Sequence, residues 1–180
     1  KTRMTGTITL ASNSAIWVQC MTTPIIITNV VSGPGGLENI GPGLLILTNA
    51  VNTYSGTTTV SAGTIALGGS LAHCDMHIAS NATFNGNGIL NYNIAADAAD
   101  RITVHGTLNI SNLALNLNAA GLQTLREYVV ADYSAGTLAG TNFANVSLPY
   151  RWDIVYTGTI RNPSAIVLLA PQRATVLEFR

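Results

Sequence analysis

The chain has 180 residues, enough for a single domain with a core, and is 47% hydrophobic but only 9% charged, against roughly 25% charged residues in ordinary soluble domains. Eight Lys and Arg balance eight Asp and Glu, so no net field draws nucleic acid or an anionic membrane. The polar surface falls to Thr, Asn and Ser, which hydrogen-bond without doing acid–base chemistry at neutral pH. No apolar run reaches the about 18 residues that a membrane span requires, and even PIIITNVVSGPGG (24–36) is interrupted by Thr28 and Asn29.

The sequence begins at Lys1 without a signal-peptide pattern, as expected of a processed chain or a piece of a longer one. Strand signals then run from Gly6 to Ala170: period-two alternation, β-branched residues, and Gly, Asn or Pro at the breaks. A Gly corner followed by alternating apolar residues opens at Gly6 (Ile8, Leu10) and recurs at Gly43 (Leu45, Leu47) and Gly63 (Ile65, Leu67). It loosens at Gly88 (Leu90, Tyr92) and returns at Gly106 (Leu108, Ile110). The successive steps are 37, 20, 25 and 18 residues, the first close to two of the others.

Recurrence of one word at such periods marks a solenoid, in which each coil lays short strands parallel to those of its neighbours and inward side chains stack in a column. Residues 41–69, GPGLLILTNAVNTYSGTTTVSAGTIALGG, supply that column in Leu45, Leu47, Thr58, Val60, Ile65 and Leu67, with Tyr54 at a corner. Cys74, Met76, Ile78, Ala82 and Phe84 continue it. The glycines of 41–43 are no phosphate cradle, since no helix follows them. An antiparallel sandwich or barrel also gives short strands with frequent turns; the repeated word, rather than strands alone, favours an all-β, right-handed parallel β-helix. Residues 119–128, AAGLQTLREY, are the exception, with Leu122, Leu125 and Arg126 suited to one or two helical turns. The expected organisation is solenoid coils over 1–118 and a short C-terminal β-strand unit over 119–180 that completes or caps the stack.

Gly41-x-Gly43-x-Leu45-x-Leu47, followed by Asn52-Thr53-Tyr54-x-Gly56-x-Thr58-x-Val60-x-x-Gly63-x-Ile65-x-Leu67, resembles the autotransporter-associated β-strand repeat of bacterial passenger domains. The lead-in VSGPGGLENIG (31–41) is similar to that repeat's SGxGGLxKxG approach, with Glu38-Asn39 departing from the usual Lys. ATFNGNGIL (82–90) is similar to the coil that follows, and residues 128–170 to the strands that close such chains. The resemblance implies a right-handed parallel β-helix, secreted or displayed on a bacterial surface. It brings no catalytic residues, because the repeat is a scaffold word. A translocating β-barrel needs far more strand than 180 residues hold, so the chain is expected to be a passenger segment or a small protein using the solenoid for another purpose.

Three clusters offer chemistry. In HCDMH, His73, Asp75 and His77 alternate and would fall on one side of a strand about 7 Å apart, a spacing that suits a transition metal. The plainer reading puts Cys74 and Met76 in the core and leaves the other three facing solvent. Asp97, Asp100 and Arg101 form either a paired-carboxylate or calcium site or, as the lapse of the repeat word favours, an exposed loop with a local Asp–Arg pair. Tyr150 and Trp152, with Trp17, offer faces for stacking on a sugar ring, or else pack at coil edges.

No catalytic constellation and no cofactor site is expected; the sole Lys is Lys1. Asn81, Asn109 and Asn145 open N-x-Ser/Thr sequons. Cys20 and Cys74 are too few for a disulfide framework and leave a single bridge open.

A solenoid has strand edges at both ends of its stack, and an uncovered end recruits another chain. With Ile8 and Leu10 so close to Lys1, no N-terminal cap is expected. The first coil would receive a neighbour's last strands, through Ile166 and Leu168 or through Val176 and Leu177. Such head-to-tail contact does not close, and it builds filaments of a homo-oligomer. The expected function is a non-enzymatic structural protein of a bacterial surface, self-assembling into a fibre, sheath or surface layer. The alternatives are an adhesin-type passenger segment that binds glycans and a polysaccharide-active enzyme.

Overall fold

The computed structural model describes residues 2–96, 98–120 and 127–171. Among the described residues every regular element is a strand, and no helix is long and apolar enough to cross a membrane. The chain winds through three faces per coil. The first coil places β1 (Thr2–Met4), β2 (Ile8–Thr9) and β3 (Ser14–Ile16) on successive faces, and the second repeats them in parallel as β4 (Ile25–Ile27), β5 (Val31–Ser32) and β6 (Leu37–Asn39). The third has β7 (Leu44–Leu47) and β8 (Thr58–Val60), with only Asn52 bridging on the second face. The fourth has β9 (Thr64–Leu67), β10 (Ser70–Leu71) and β11 (Met76–Ile78).

The fifth coil carries β12 (Thr83–Gly86), the long β13 (Ile89–Ala95), β14 (Ala98–Ala99) folded back antiparallel on β13, and β15 (Ile102–Val104). The sixth carries β16 (Thr107–Asn109), β17 (Ala114–Ala120) and β18 (Glu127–Asp132). β19 (Thr137–Ala139) and β20 (Asn145–Ser147) then extend the first two faces in parallel. On the third face the pairing reverses: β22 (Ala165–Leu169) lies antiparallel between β18 and β21 (Asp153–Val155). The first face is thus a seven-stranded sheet, β1-β4-β7-β9-β12-β16-β19, and the third an eight-stranded one ending in that antiparallel pair.

Parallel register explains why the repeated word folds this way. Ile25, Leu45, Ile65, Phe84 and Leu108 are successive partners on the first face, and the last four of them are fully buried. Each such side chain contributes about 1.5–3 kcal/mol by leaving water. A second column runs Ile27, Leu47, Leu67 and ends on Gly86. There φ is +133° and a Cβ would sit 2.0 Å from the Leu67 carbonyl oxygen, so only glycine lets the coils approach. The inward set expected over 45–67 is fully buried. Thr58 is tolerated there because its hydroxyl meets the Tyr54 hydroxyl at 2.6 Å, which draws Tyr54 from the expected corner into the core at 2% exposure.

The expected division after residue 118 falls inside β17, and the parallel stack runs on through β20. Of the helical turns expected over 119–128, Ala119 and Ala120 finish β17 and Tyr128 lies in β18, while Leu122, Leu125 and Arg126 lie outside the described residues. Cys20 and Cys74 are free thiols, one exposed and one buried, so the bridge left open by the sequence is not formed. Ile166 and Leu168 are fully buried in β22, inside the sheet rather than at an edge. Leu10 is buried, Ile8 is half-buried in β2, and Val176 and Leu177 lie outside the described residues.

Candidate functional site

In the HCDMH segment only Met76–Ile78 forms strand β11, but burial alternates from Cys74 through Ile78. Cys74 and Met76 point into the core, at 0% and 2% exposure. The three polar residues take separate partners. His73 Nδ1 lies 4.0 Å from an Asp100 oxygen. Asp75 accepts the Thr57 hydroxyl at 3.0 Å and the Arg101 backbone N–H at 3.4 Å. The His77 ring, outward between Thr59 and Thr103, faces His105 with centroids 5.2 Å apart. Among the described residues no three His, Cys, Asp or Glu side chains are placed to hold a metal ion together.

Asp100 is a structural tie. One of its oxygens accepts the backbone N–H of Cys74 at 3.2 Å, that of Asn93 at 3.0 Å and the Asn93 carboxamide at 2.7 Å, joining two coils at a corner. Arg101 reaches past it to Asp132 on the next coil, 2.7 Å away. The Ser134 hydroxyl and N–H, more than Arg101 itself, hold the Asp132 carboxyl below its ordinary range. Asp97 lies outside the described residues.

Burial, aided by the carboxylates of Asp100 and Asp75, pushes the Cys74 thiol well up. The exposed Cys20 thiol is lowered to about 7 by the hydroxyls and amides of Thr22 and Thr23, Thr22 first. Tyr150 is 83% exposed, with the Arg151 guanidinium 5.1 Å from its ring centroid. Trp152 is half-buried against Tyr128, centroids 5.7 Å apart, so the structure gives the two rings different neighbours. Trp17 is 63% exposed.

The feature that sequence reasoning missed lies on the second face. β13 and β17, the two longest strands, pair over seven residues with Asn91 opposite Asn116 and Asn93 opposite Asn118. Between these outward positions Tyr92, Leu115 and Leu117 point inward and are buried. The carboxamides form a double ladder: Asn116 Nδ2 donates to Asn91 Oδ1 at 2.9 Å, and Asn118 Nδ2 to Asn93 Oδ1 at 3.1 Å. Both are anchored below, Asn91 on the Leu71 carbonyl at 2.7 Å and Asn93 on the Ala72 carbonyl at 2.8 Å. Ser147 follows Asn116 in register on β20.

A trough of about 470 Å³ opens over this ladder, with Asn145 and Ser147 at one side and Ile89 and Ala114 among its apolar lining. A smaller hollow of about 280 Å³, lined by four asparagines and Gly86, lies round the next corner at Asn85 and Asn109. The signal was present in the sequence as two Asn-x-Asn pairs a coil apart, alternating with apolar residues.

The fold and its surface define a parallel β-solenoid of stacked repeats. Residues 37–67, running from β6 through β9, match the family model described as passenger-associated-transport-repeat. No curated protein matches the chain. The repeat and the solenoid together fit a passenger-associated secreted protein, and the resemblance read in 41–67 falls within the matched segment.

Proposed function

We propose that the protein is a non-enzymatic structural segment of a secreted surface protein, and that its end coils pair head-to-tail with those of another copy to build a fibre, sheath or surface layer. The observation that carries this reading is the state of the first two faces. Among the described residues they terminate in parallel edge strands, β1 and β2 at one end, β19 and β20 at the other. The pairing that joins coils within the chain therefore has a free counterpart at each end. Zero formal net charge leaves little repulsion to oppose stacking. Of the two donor segments expected, Ile166 and Leu168 are enclosed between β18 and β21, while Val176 and Leu177 lie outside the described residues; the junction proposed uses Thr137–Ala139 and Asn145–Ser147 against the first coil.

The test is sedimentation and negative-stain microscopy of the secreted protein with two edge variants. Thr2 and Thr137 turn their backbone N–H groups inward, onto Pro24 and Gly106, so Arg3 and Leu138 present theirs outward. Arg3→Pro and Leu138→Pro each remove one outward donor and should shorten the assemblies. Monodisperse monomers of the unsubstituted protein at high concentration would refute the reading.

A further inference from the structure

We propose that the trough on the second face binds a neutral glycan chain. This goes beyond the structural role and does not depend on head-to-tail pairing.

No ionisable residue lines the trough. A charged ligand would lose hydration there with no counter-charge to replace it, which selects a neutral one. The polar groups are carboxamides and a hydroxyl, each able to donate and to accept. A sugar hydroxyl has the same dual character, so successive hydroxyls match successive rungs. The apolar surface of Ile89, 43% exposed, and Ala114 suits the C–H face of a pyranose ring. The volume lies within the about 300–1,000 Å³ usual for ligand sites.

The ladder is rigid but not saturated. Asn116 and Asn118 spend one N–H each on Asn91 and Asn93, whose carboxamides are fixed in turn by backbone carbonyls. The asparagines therefore stand in set orientations before any ligand arrives, which limits the entropy lost on binding. Asn116 Oδ1, the Asn145 carboxamide and the Ser147 hydroxyl take no partner among the described residues and face the trough edge. Rungs on adjacent strands repeat at about 4.8 Å, close to the advance of one ring along an extended chain, so the trough runs with the solenoid axis and accommodates a glycan lying across β13, β17 and β20.

Tyr150 and Trp152, the residues expected to stack on sugar, lie outside this trough. The site assigned here works through amides and a shallow apolar floor, which fits weak, repeated contacts along a polymer rather than tight capture of one sugar.

The experiment is calorimetric titration of the full chain with cellohexaose, maltohexaose and mannohexaose, with an alginate hexamer as the anionic comparator. Saturable binding of at least one neutral oligosaccharide is expected. Asn145→Ala and Ser147→Ala, whose side chains hold nothing else in the fold, should each weaken it about 5- to 10-fold, and Asn116→Leu more. Thr137→Ala on the first face should leave it unchanged. The proposal is overturned if none of the three binds, if all variants bind alike, or if the alginate binds better and is released by salt. Sedimentation of Asn116→Leu, on the interior strand β17 rather than on a junction strand, separates the remaining case: loss of self-association in that variant without any glycan binding would give the face to a second copy and overturn the proposal, while the Arg3→Pro and Leu138→Pro results bear only on the ends.

Discussion

Asn52 takes the place of a strand opposite Val31: its Oδ1 accepts the Val31 backbone N–H at 3.2 Å, where the third coil contributes a single bridge to the second face. The same carboxamide donates to the Ser70 carbonyl at 3.1 Å, and the residue is 1% exposed. One side chain thus ties three coils where the ladder of backbone bonds lapses. Replacing it by Leu keeps the branching at Cγ, adds bulk at an enclosed site and strands the Val31 amide away from water, the lost bond alone costing about 1–3 kcal/mol. For a chain of this size the melting temperature should fall by about 2–4 °C per kcal/mol. Asn52→Leu and Asn52→Asp, measured by thermal melts, should both destabilise; a melt unchanged in the Leu variant would remove the side chain from its bridging role.

Corner glycines should divide sharply by what a Cβ would meet. Gly63 has φ +61° and a Cβ there would lie 2.4 Å from the Gly43 carbonyl oxygen, whereas nothing lies within 4 Å at Gly6. Gly63→Ala should lose about 1–3 kcal/mol through backbone strain alone, with the clash added. Gly6→Ala should stay within about 0.5 kcal/mol of the parent. Urea unfolding of the pair checks the contrast.

The two thiols should react in different regimes. Cys20 is exposed and lowered to about 7, so its iodoacetamide alkylation rate should rise with a midpoint near pH 7 and level off above it. Cys74 has no exposure and its thiol is raised by burial, so it should stay unmodified until the chain unfolds. Thr22→Val removes the hydroxyl that contributes most to lowering Cys20 and should shift that midpoint upward. Peptide mapping at several pH values reads both residues at once.

Asp132 sets the sign of one acid effect. Its carboxyl is held below the ordinary range by Ser134 and Arg101, so the folded state binds its proton less readily than the unfolded chain. The stability it contributes is present above the unfolded Asp value of about 3.9 and is lost as the pH falls through the lower folded value. The site is largely solvated, so the effect should not exceed about 1 kcal/mol. Urea midpoints should show a smaller loss between pH 5 and pH 2 in Asp132→Asn than in the parent, and no difference in slope above pH 5.

The core of the fold was legible because a parallel solenoid repeats its inward positions: Leu45, Ile65 and Leu108 were placed by one word, and their partners follow from register. The reversal on the third face was not. Ile166 and Leu168 read as strand residues in the right period, but the period carries no sign of direction, and antiparallel pairing with β18 is decided by long-range contact. His73, Asp75 and His77 do alternate with buried Cys74 and Met76 but failed to converge because each is engaged elsewhere: His73 lies beside Asp100, Asp75 accepts from Thr57 and the Arg101 amide, and His77 faces His105. Asn91 and Asn116 were legible only as a pair, since a single outward Asn on a strand is ordinary.

The position of β22 yields the last expectation. Ile166, Val167 and Leu168 have no exposure, and Val167 and Leu168 pair with strands on both sides, so the amides of this strand should exchange with solvent as slowly as those of Ile65 and Leu67. Ile166→Ala should lose about 2–5 kcal/mol, as for any well-packed core position. A donated strand would behave otherwise: it would exchange quickly in the monomer and become protected only on assembly. Hydrogen exchange at dilute and at high concentration distinguishes the two, and protection of 166–168 that rose with concentration would move the junction between copies from β19 and β20 back to this strand.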